Sequence, residues 1–267
     1  RSAWLEDCIK NSGYGLVSDQ RNLWPYTNPY TAKDYPYAKD NGLNWETDEN
    51  MECMFSIKMS NKPGWSADSQ LRHNRIVEFY GLRKTTADAF PFSVQGYSNG
   101  PVCEKLWTDW AADTDYADDY RRVGSICDRL VEIPNYPGDK AKEVENTNLL
   151  AKKYIGCEAW NEDHSARYLS YAYYYGSENN RQTGLTQAIT WLRFADVLLM
   201  HSELTNGAEI YNGKSGLNAV RARAGLPDVA YSLDKLKKER RYELCFEAIR
   251  WNDLRRWGDV QEIVKNQ

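Results

Sequence analysis

Three blocks near the end of the chain decide its fold: TQAITWLRFADVLLMHSEL (186–204), SGLNAVRARAGLP (215–227) and LKKERRYELCFEAIRWNDLRRWG (236–258). The first block predicts a helix, because one stripe at helical spacing contains Ile189, Leu192, Asp196 and Leu199. Beside this stripe lie two small residues, Ala195 and Ser202. Their size would let a second helix approach closely.

The second block predicts that partner helix. Its apolar face contains Leu217, Val220 and Ala224, and Gly225 and Pro227 are typical of a helix end. The connecting run 206–216 contains three glycines, which should interrupt the helical pattern. Two helices joined in this way form a hairpin of the tetratricopeptide kind. We therefore predict a mainly α fold.

The third block predicts a helix from about Leu233 to Trp257 with an unusual charge pattern. Glu239, Glu243 and Glu247 follow one another at i, i+4 and i+8, where like charges repel. Six arginines could neutralise this stripe: Arg193, Arg221, Arg223, Arg240, Arg241 and Arg250. We predict a structural ion-pair network between the helices, because arginine binds partly buried carboxylates with two hydrogen bonds. A catalytic carboxylate pair is the alternative, but so many arginines would keep the carboxylates ionised.

Composition excludes several functional classes. The net charge of −4 over 267 residues disfavours nucleic acid as a partner, since phosphates require a basic surface. The six cysteines contain no CxxC pair, which disfavours a zinc site, and their disulfide state stays open. The acidic run 113–119 departs from the EF-hand pattern. We predict no metal, no cofactor and no catalytic residues.

The stretch 14–186 should be rich in loops, with a short strand that begins at Cys53. Residues 14–45 contain many aromatic, proline, asparagine and aspartate residues without helical or strand periodicity. Exposed rings in such loops could stack on the apolar faces of sugars. The ligand-binding candidates are Trp24, Trp45 and Trp65, followed by Tyr37. The helical tryptophans Trp191, Trp251 and Trp257 are expected in the core.

Taken together, the three blocks resemble the C-terminal half of the SusD/RagB family. Shorter elements support the resemblance: Asn50-Met51-Glu52 before a strand, Asp119-Tyr120-Arg121, and Lys153-Tyr154 at the end of NLLAKKY. The resemblance implies a SusD-like fold, in which tetratricopeptide-type helical hairpins accompany a long loop-rich insert with a few short strands. Residues 1–267 would then be the C-terminal portion of a longer protein. Residues 14–186 would bind the ligand, residues 187–258 would form the helical motif region, and the N-terminal helical-repeat half would be absent.

The resemblance also implies a function without catalysis. Such proteins bind glycans at the cell surface and deliver them to a SusC-like, TonB-dependent transporter in the outer membrane of Bacteroidetes. Attachment to that membrane would require an N-terminal lipid anchor, which would be missing from this chain. The alternatives are RagB-like peptide binding, a hydrolase that acts on glycans, and a helical-repeat adaptor that binds no ligand. The family motif lies outside the aromatic loops, so it assigns no glycan-binding residue and leaves the glycan unidentified.

Overall fold

A computed structural model describes residues 2–60, 74–83, 87–138, 147–176 and 185–265. In chain order, the α-helices are α1 (Ser2–Asn11), α2 (Pro29–Ala32), α3 (Pro36–Asp40), α4 (Arg75–Tyr80), α5 (Glu104–Ala112), α6 (Arg121–Ser125), α7 (Arg129–Glu132), α8 (Ser170–Tyr174), α9 (Phe194–Thr205), α10 (Gly216–Arg223), α11 (Leu233–Glu243), α12 (Arg250–Trp257) and α13 (Val260–Lys265). The prediction of a mainly α fold is confirmed.

Short strands join distant parts of the chain in antiparallel pairs. They are β1 (Cys53–Ile57), β2 (Ile126–Asp128), β3 (Leu149–Ala151), β4 (Glu158–Trp160), β5 (Arg167–Leu169), β6 (Ile189–Arg193), β7 (Glu209–Tyr211) and β8 (Lys214–Ser215). Each sheet among the described residues has two strands: β1 with β6, β2 with β3, β4 with β5, and β7 with β8. The β1–β6 pair joins the early part of the chain to the helical motif, because it places Cys53 opposite Arg193.

The predicted hairpin is present as α9 and α10, with the β7–β8 ribbon between them. The Ser202 hydroxyl accepts a hydrogen bond from the backbone N–H of Leu217 (2.8 Å), so this small residue fastens one helix to the other. The prediction of helix before residue 194 is wrong, since residues 189–193 form β6. Its pairing partner lies more than 130 residues earlier in the chain, and a local periodicity does not reveal such a partner.

The single predicted helix from Leu233 to Trp257 is also wrong, because the chain turns between α11 and α12. Phe246 and Ala248 in this turn have φ values of 67° and 60°, which residues with side chains rarely adopt. The carbonyl of Glu243 accepts hydrogen bonds from Lys153 and Arg193 (both 2.8 Å). Charged side chains therefore bind a carbonyl that a continuous helix would bond to its own backbone.

The aromatic stretch 14–45 is folded into short turns of helix instead of an irregular loop. Proline occupies the first position of the turns Pro25–Thr27, Pro29–Ala32 and Pro36–Asp40, where its fixed φ favours a helix start. The rings of this stretch enter a buried cluster with Tyr136, Tyr154 and Phe92. A second cluster joins α1 to α9, α10 and α11. None of the described helices is long and apolar enough to cross a membrane.

Gly216 should be essential for the close contact between α9 and α10. A Cβ atom at this position would lie 1.9 Å from the carbonyl oxygen of Leu198. Gly216→Ala should therefore force the helices apart and cost about 1–3 kcal/mol of folding free energy, as overpacking does in other cores. Chemical denaturation measures this loss. Ala222→Ser, at an exposed position on the same helix, is the control, and equal stability of the two variants would contradict the account.

Candidate functional site

A buried network of charges connects the helical motif to the rest of the chain. Its five carboxylates and five cations are Glu52, Asp119, Glu239, Glu243 and Glu247 with Arg121, Lys153, Arg193, Arg221 and Arg223. The side chains of all ten expose at most 4% of their surface. Formal charges are thus balanced inside the protein, as burial of ions requires.

Glu243 lies at the centre of this network. Its carboxylate accepts hydrogen bonds from Arg121 (2.7 Å), from Arg193 and from Arg223. Arg193 and Arg223 also donate to Glu52 (2.7 and 2.6 Å), and the β1–β6 pairing places Glu52 beside Arg193. One glutamate on α11 is therefore bonded to residues from α6, β6 and α10.

The electrostatics favour a structural role over acid–base catalysis. Burial alone would raise the pKa of Glu243, but Arg223, Arg193 and Arg121 lower it well below its usual range. The pKa of Glu247 is lowered in the same way, with Arg193 and Lys153 outweighing burial. Burial raises the pKa of Glu239, which shares Arg121 with Asp119 and Glu243. Each carboxylate is bonded to protein groups and is closed to a substrate.

Three of the predicted arginines lie elsewhere. Arg240 joins Asp196 (2.6 Å) to Asp253 (2.8 Å) in a separate buried pair of bridges, and Arg241 binds Asp109 (3.0 Å). The side chain of Arg250 forms no ion pair or hydrogen bond with any described residue. The network instead contains four residues that were not predicted for it: Glu52, Asp119, Arg121 and Lys153. These residues belong to the short elements Asn50-Met51-Glu52, Asp119-Tyr120-Arg121 and Lys153-Tyr154. The charge periodicity of one helix cannot indicate residues so distant in sequence.

The structure places the candidate tryptophans inside the protein. Trp24 and Trp45 expose 3% and 5% of their surface, so neither presents a ring face to a ligand, and the expectation of exposed rings is wrong. Trp24 packs against Tyr154 and lies 4.8 Å from the ammonium of Lys153. The ring of Tyr37 is half-buried with the Lys152 ammonium 3.8 Å from its centre, and burial raises its pKa to about 12. Trp65 lies outside the described residues.

A cluster of tyrosine rings, two of them exposed, lies on and around α8. We call this set the tyrosine surface and define it by Tyr30, Tyr168, Tyr173, Tyr174 and Tyr175. Tyr173 and Tyr174 expose 57% and 41% of their area. Tyr30 meets three of the other rings edge-on, at centroid distances of 6.2–6.4 Å. Because these contacts are edge-on, the rings stand at different angles to one another.

A buried layer fixes these rings in place. Trp45 lies beneath Tyr174 and Tyr175, at centroid distances of 5.1 and 6.0 Å. The carboxylate of Asp48 accepts hydrogen bonds from the hydroxyls of Tyr171 (2.7 Å) and Tyr175 (2.9 Å). Trp45, predicted to contact the ligand, thus supports the rings from below. The repeated tyrosines in YLSYAYYYG were the available signal for this surface.

Polar groups border the tyrosine surface at the β4–β5 hairpin. The His164 ring nitrogen lies 3.2 Å from the carboxylate of Asp34, which is close to Tyr168. Trp160 lies beside His164 at a ring distance of 6.0 Å. Exposed rings next to hydroxyl, carboxylate and imidazole groups can bind a ligand with both apolar faces and hydroxyls.

The structure also places the helical tryptophans, the cysteines and the acidic and histidine side chains. Trp191 and Trp251 expose 59% and 55% of their surface, so the expectation that they lie in the core is wrong. Trp257 is partly buried and donates a hydrogen bond to Glu203 (2.9 Å). All six cysteines are free thiols. Within the described ranges, no group of three His, Cys, Asp or Glu residues could surround a metal ion.

Comparison with known proteins agrees with this architecture. Residues 104–267, more than half of the chain, match the model of the SusD family. The chain therefore belongs to the SusD family. A comparison with curated protein sequences gave no match.

Solved structures with the same fold include several that bind glycans. A laminarin-binding SusD-like protein is 23% identical with a TM-score of 0.69, over 99% of this chain and 52% of that one. Surface glycan-binding protein A of Bacteroides thetaiotaomicron, in complex with laminarihexaose, is 17% identical with a TM-score of 0.66, over 97% and 50%. A SusD homolog of Bacteroides thetaiotaomicron is 23% identical with a TM-score of 0.63, over 99% and 50%. The chain spans about half the length of these proteins.

Removing the central carboxylate should destabilise the whole fold. Glu243→Ala would leave Arg121, Arg193 and Arg223 with excess buried positive charge, which typically costs about 3–5 kcal/mol. Urea unfolding followed by circular dichroism measures this loss. Glu262→Ala, on the exposed side of α13, is the control and should change stability by less than about 0.5 kcal/mol. A Glu243 variant as stable as the control would refute the structural role.

Proposed function

We propose that this protein binds oligosaccharides at the tyrosine surface and catalyses no reaction on them. The observation that supports the proposal is the set of rings around α8. Tyr173 and Tyr174 are exposed, while Trp45 and Asp48 restrain the ring layer from below. Rings that are rigid before binding lose little entropy when a ligand stacks on them.

The chemistry of the surface suits a sugar. A pyranose ring has flat faces of C–H groups, which pack on an aromatic ring, and an edge of hydroxyls that exchange hydrogen bonds. Around the tyrosine surface, tyrosine hydroxyls and the Asp34–His164 pair provide donors and acceptors. Several rings at different angles would follow a curved chain of sugars better than one flat platform. The solved relatives described as glycan-binding proteins support the same ligand class.

The proposal extends to the setting of the whole protein. Membership of the SusD family supports a location at the outer surface of the outer membrane and delivery of the glycan to a SusC-like, TonB-dependent transporter. We also propose that this chain forms the C-terminal portion of such a protein, with residues 14–186 as the ligand-binding part and residues 187–258 as the helical motif region. We also propose that the protein is not an enzyme. This is supported by the buried carboxylates of the network, which form ion pairs with arginine side chains.

Removing the exposed rings should abolish most of the affinity for sugar. Tyr173→Ala and Tyr174→Ala should each weaken binding by about 1–3 kcal/mol, by analogy with rings that stack on nucleobases. This corresponds to an increase in Kd of about fivefold to more than a hundredfold. Isothermal titration calorimetry with laminarihexaose and xylogluco-oligosaccharide measures it, and thermal midpoints should barely change.

The control is Tyr14→Ala, because Tyr14 is an exposed tyrosine outside the tyrosine surface. A panel of tyrosine-containing peptides should be titrated in parallel. Binding of peptides in place of sugars would favour the RagB-like alternative. If neutral oligosaccharides bind and all three variants bind as tightly as the parent, the tyrosine surface is not the site.

A further inference from the structure

A cleft unconnected with the tyrosine surface lies where α12 begins. Its volume is about 480 Å³, and its lining includes Phe79, Tyr80, Asn99, Phe246, Arg250 and Trp251. These residues come from α4, from the segment that follows Tyr97, from the turn between α11 and α12, and from the first two residues of α12. This turn separates α11 from α12, where the sequence predicted one continuous helix from Leu233 to Trp257.

Aromatic rings form the walls of this cleft. Trp251 exposes 55% of its surface and Phe79 exposes 43%, which is unusual for residues of this size. Tyr80 is held tightly, since a Cβ atom on Gly100 would lie 2.0 Å from its ring. Phe79 packs against Tyr97 at 6.1 Å. Phe79 and Tyr80 are therefore held by neighbouring residues, and Trp251 adds exposed apolar surface to the walls.

The polar groups of the cleft have no partners among the described residues. The half-buried side chain of Arg250 makes neither an ion pair nor a hydrogen bond with a described residue, and the exposed side-chain amide of Asn99 makes no hydrogen bond with one. By contrast, Arg121, Arg193, Arg223 and Arg240 are all bonded to carboxylates. A half-buried guanidinium that lacks an anion retains most of its capacity for a charge-assisted bond.

Charges of both signs lie around Arg250, and the carboxylates among them are bonded to other cations. Burial lowers the pKa of Arg250, and the nearby Arg241 lowers it further. The carboxylates of Asp253 and Asp259 raise the pKa of Arg250 without bonding to it. Asp253 is bonded to Arg240 and Arg256, and Asp259 is bonded to Lys237. Asp109, which lines a neighbouring pocket together with Arg250, is bonded to Lys105 and Arg241. An incoming anion would therefore meet a guanidinium without an ion-pair partner among the described residues, beside carboxylates that other cations already bind.

We propose that this cleft binds the carboxylate of a hexuronic acid residue in an acidic oligosaccharide. The planar fork of Arg250 matches a carboxylate with two parallel hydrogen bonds, and an exposed ring of Trp251 or Phe79 matches the apolar face of the sugar. The Asn99 amide can bond to a sugar hydroxyl. This inference rests on the proposed function only for the choice of a sugar as the ligand class, because the two sites share no residue.

Titration with an oligosaccharide of galacturonic acid tests the proposal. Arg250→Gln should raise the Kd at least about tenfold, the loss expected for one charge-assisted pair. Arg255→Gln is the matched control, because Arg255 is an exposed arginine on the same helix that does not line the cleft. Trp251→Ala should also weaken binding, whereas Tyr174→Ala should not.

The outcomes separate this site from the tyrosine surface. Equal affinity of Arg250→Gln and Arg255→Gln for the acidic oligosaccharide, or no binding by the parent, would overturn the proposal, whatever the result with neutral sugars. Loss of binding in Tyr174→Ala alone would place the acidic sugar at the tyrosine surface instead. Binding of acidic peptides but not of galacturonate would refute the ligand class. Thermal midpoints of all variants should match the parent, because Arg250 makes no ion pair with any described residue.

Discussion

The carboxylate of Glu243, with arginines from three other elements around it, is the interaction on which the structure depends. Arg121, Arg193 and Arg223 reach it from α6, β6 and α10. Each arginine binds a further carboxylate, and the charges of the ten buried groups balance. Such a network adds less net stability than apolar packing would, yet removing one member is costly. It therefore fixes which segments meet, while the apolar clusters provide the driving force for burial.

The same constraint shapes both proposed sites. The carbonyl of Glu243 bonds to Lys153 and Arg193, so helix α11 ends there and the chain turns before α12. That turn places Phe246, Arg250 and Trp251 on one cleft. Lys153 lies just before the β4–β5 hairpin. Tyr168 belongs to β5, and α8 follows directly after it. The short segment that begins at Lys153 thus connects the tyrosine surface to the helical motif, because the buried Lys153 ammonium is bonded to Glu243.

The sequence predicted the parts of this structure that show a helical periodicity over a short stretch of chain. The α9–α10 hairpin, its small residues and the glutamate stripe all have helical periodicity. Periodicity failed where a distant segment decides the conformation, as β1 does for residues 189–193, or where charged side chains end a helix at Glu243. It also misplaced Trp24 and Trp45. Proline and asparagine between aromatic residues indicate loops, but here they start successive helical turns whose rings form the core. The tyrosine surface was missed although four of its five rings lie within residues 168–175, because Tyr30 and the supporting Trp45 come from a distant segment.

Hydrogen–deuterium exchange of Glu243→Gln tests the central claim most directly. This variant keeps the shape of the side chain and removes its charge. If Glu243 joins the segments, amide exchange should accelerate in α6, which contains Arg121, and in β1, which follows Glu52. Glu52 binds two of the arginines that Glu243 binds, and both segments are more than 110 residues away in sequence. Glu262→Gln should leave exchange in both segments unchanged. Faster exchange confined to α11 and the turn after it would contradict the account, because the network would then be a local feature of one helix.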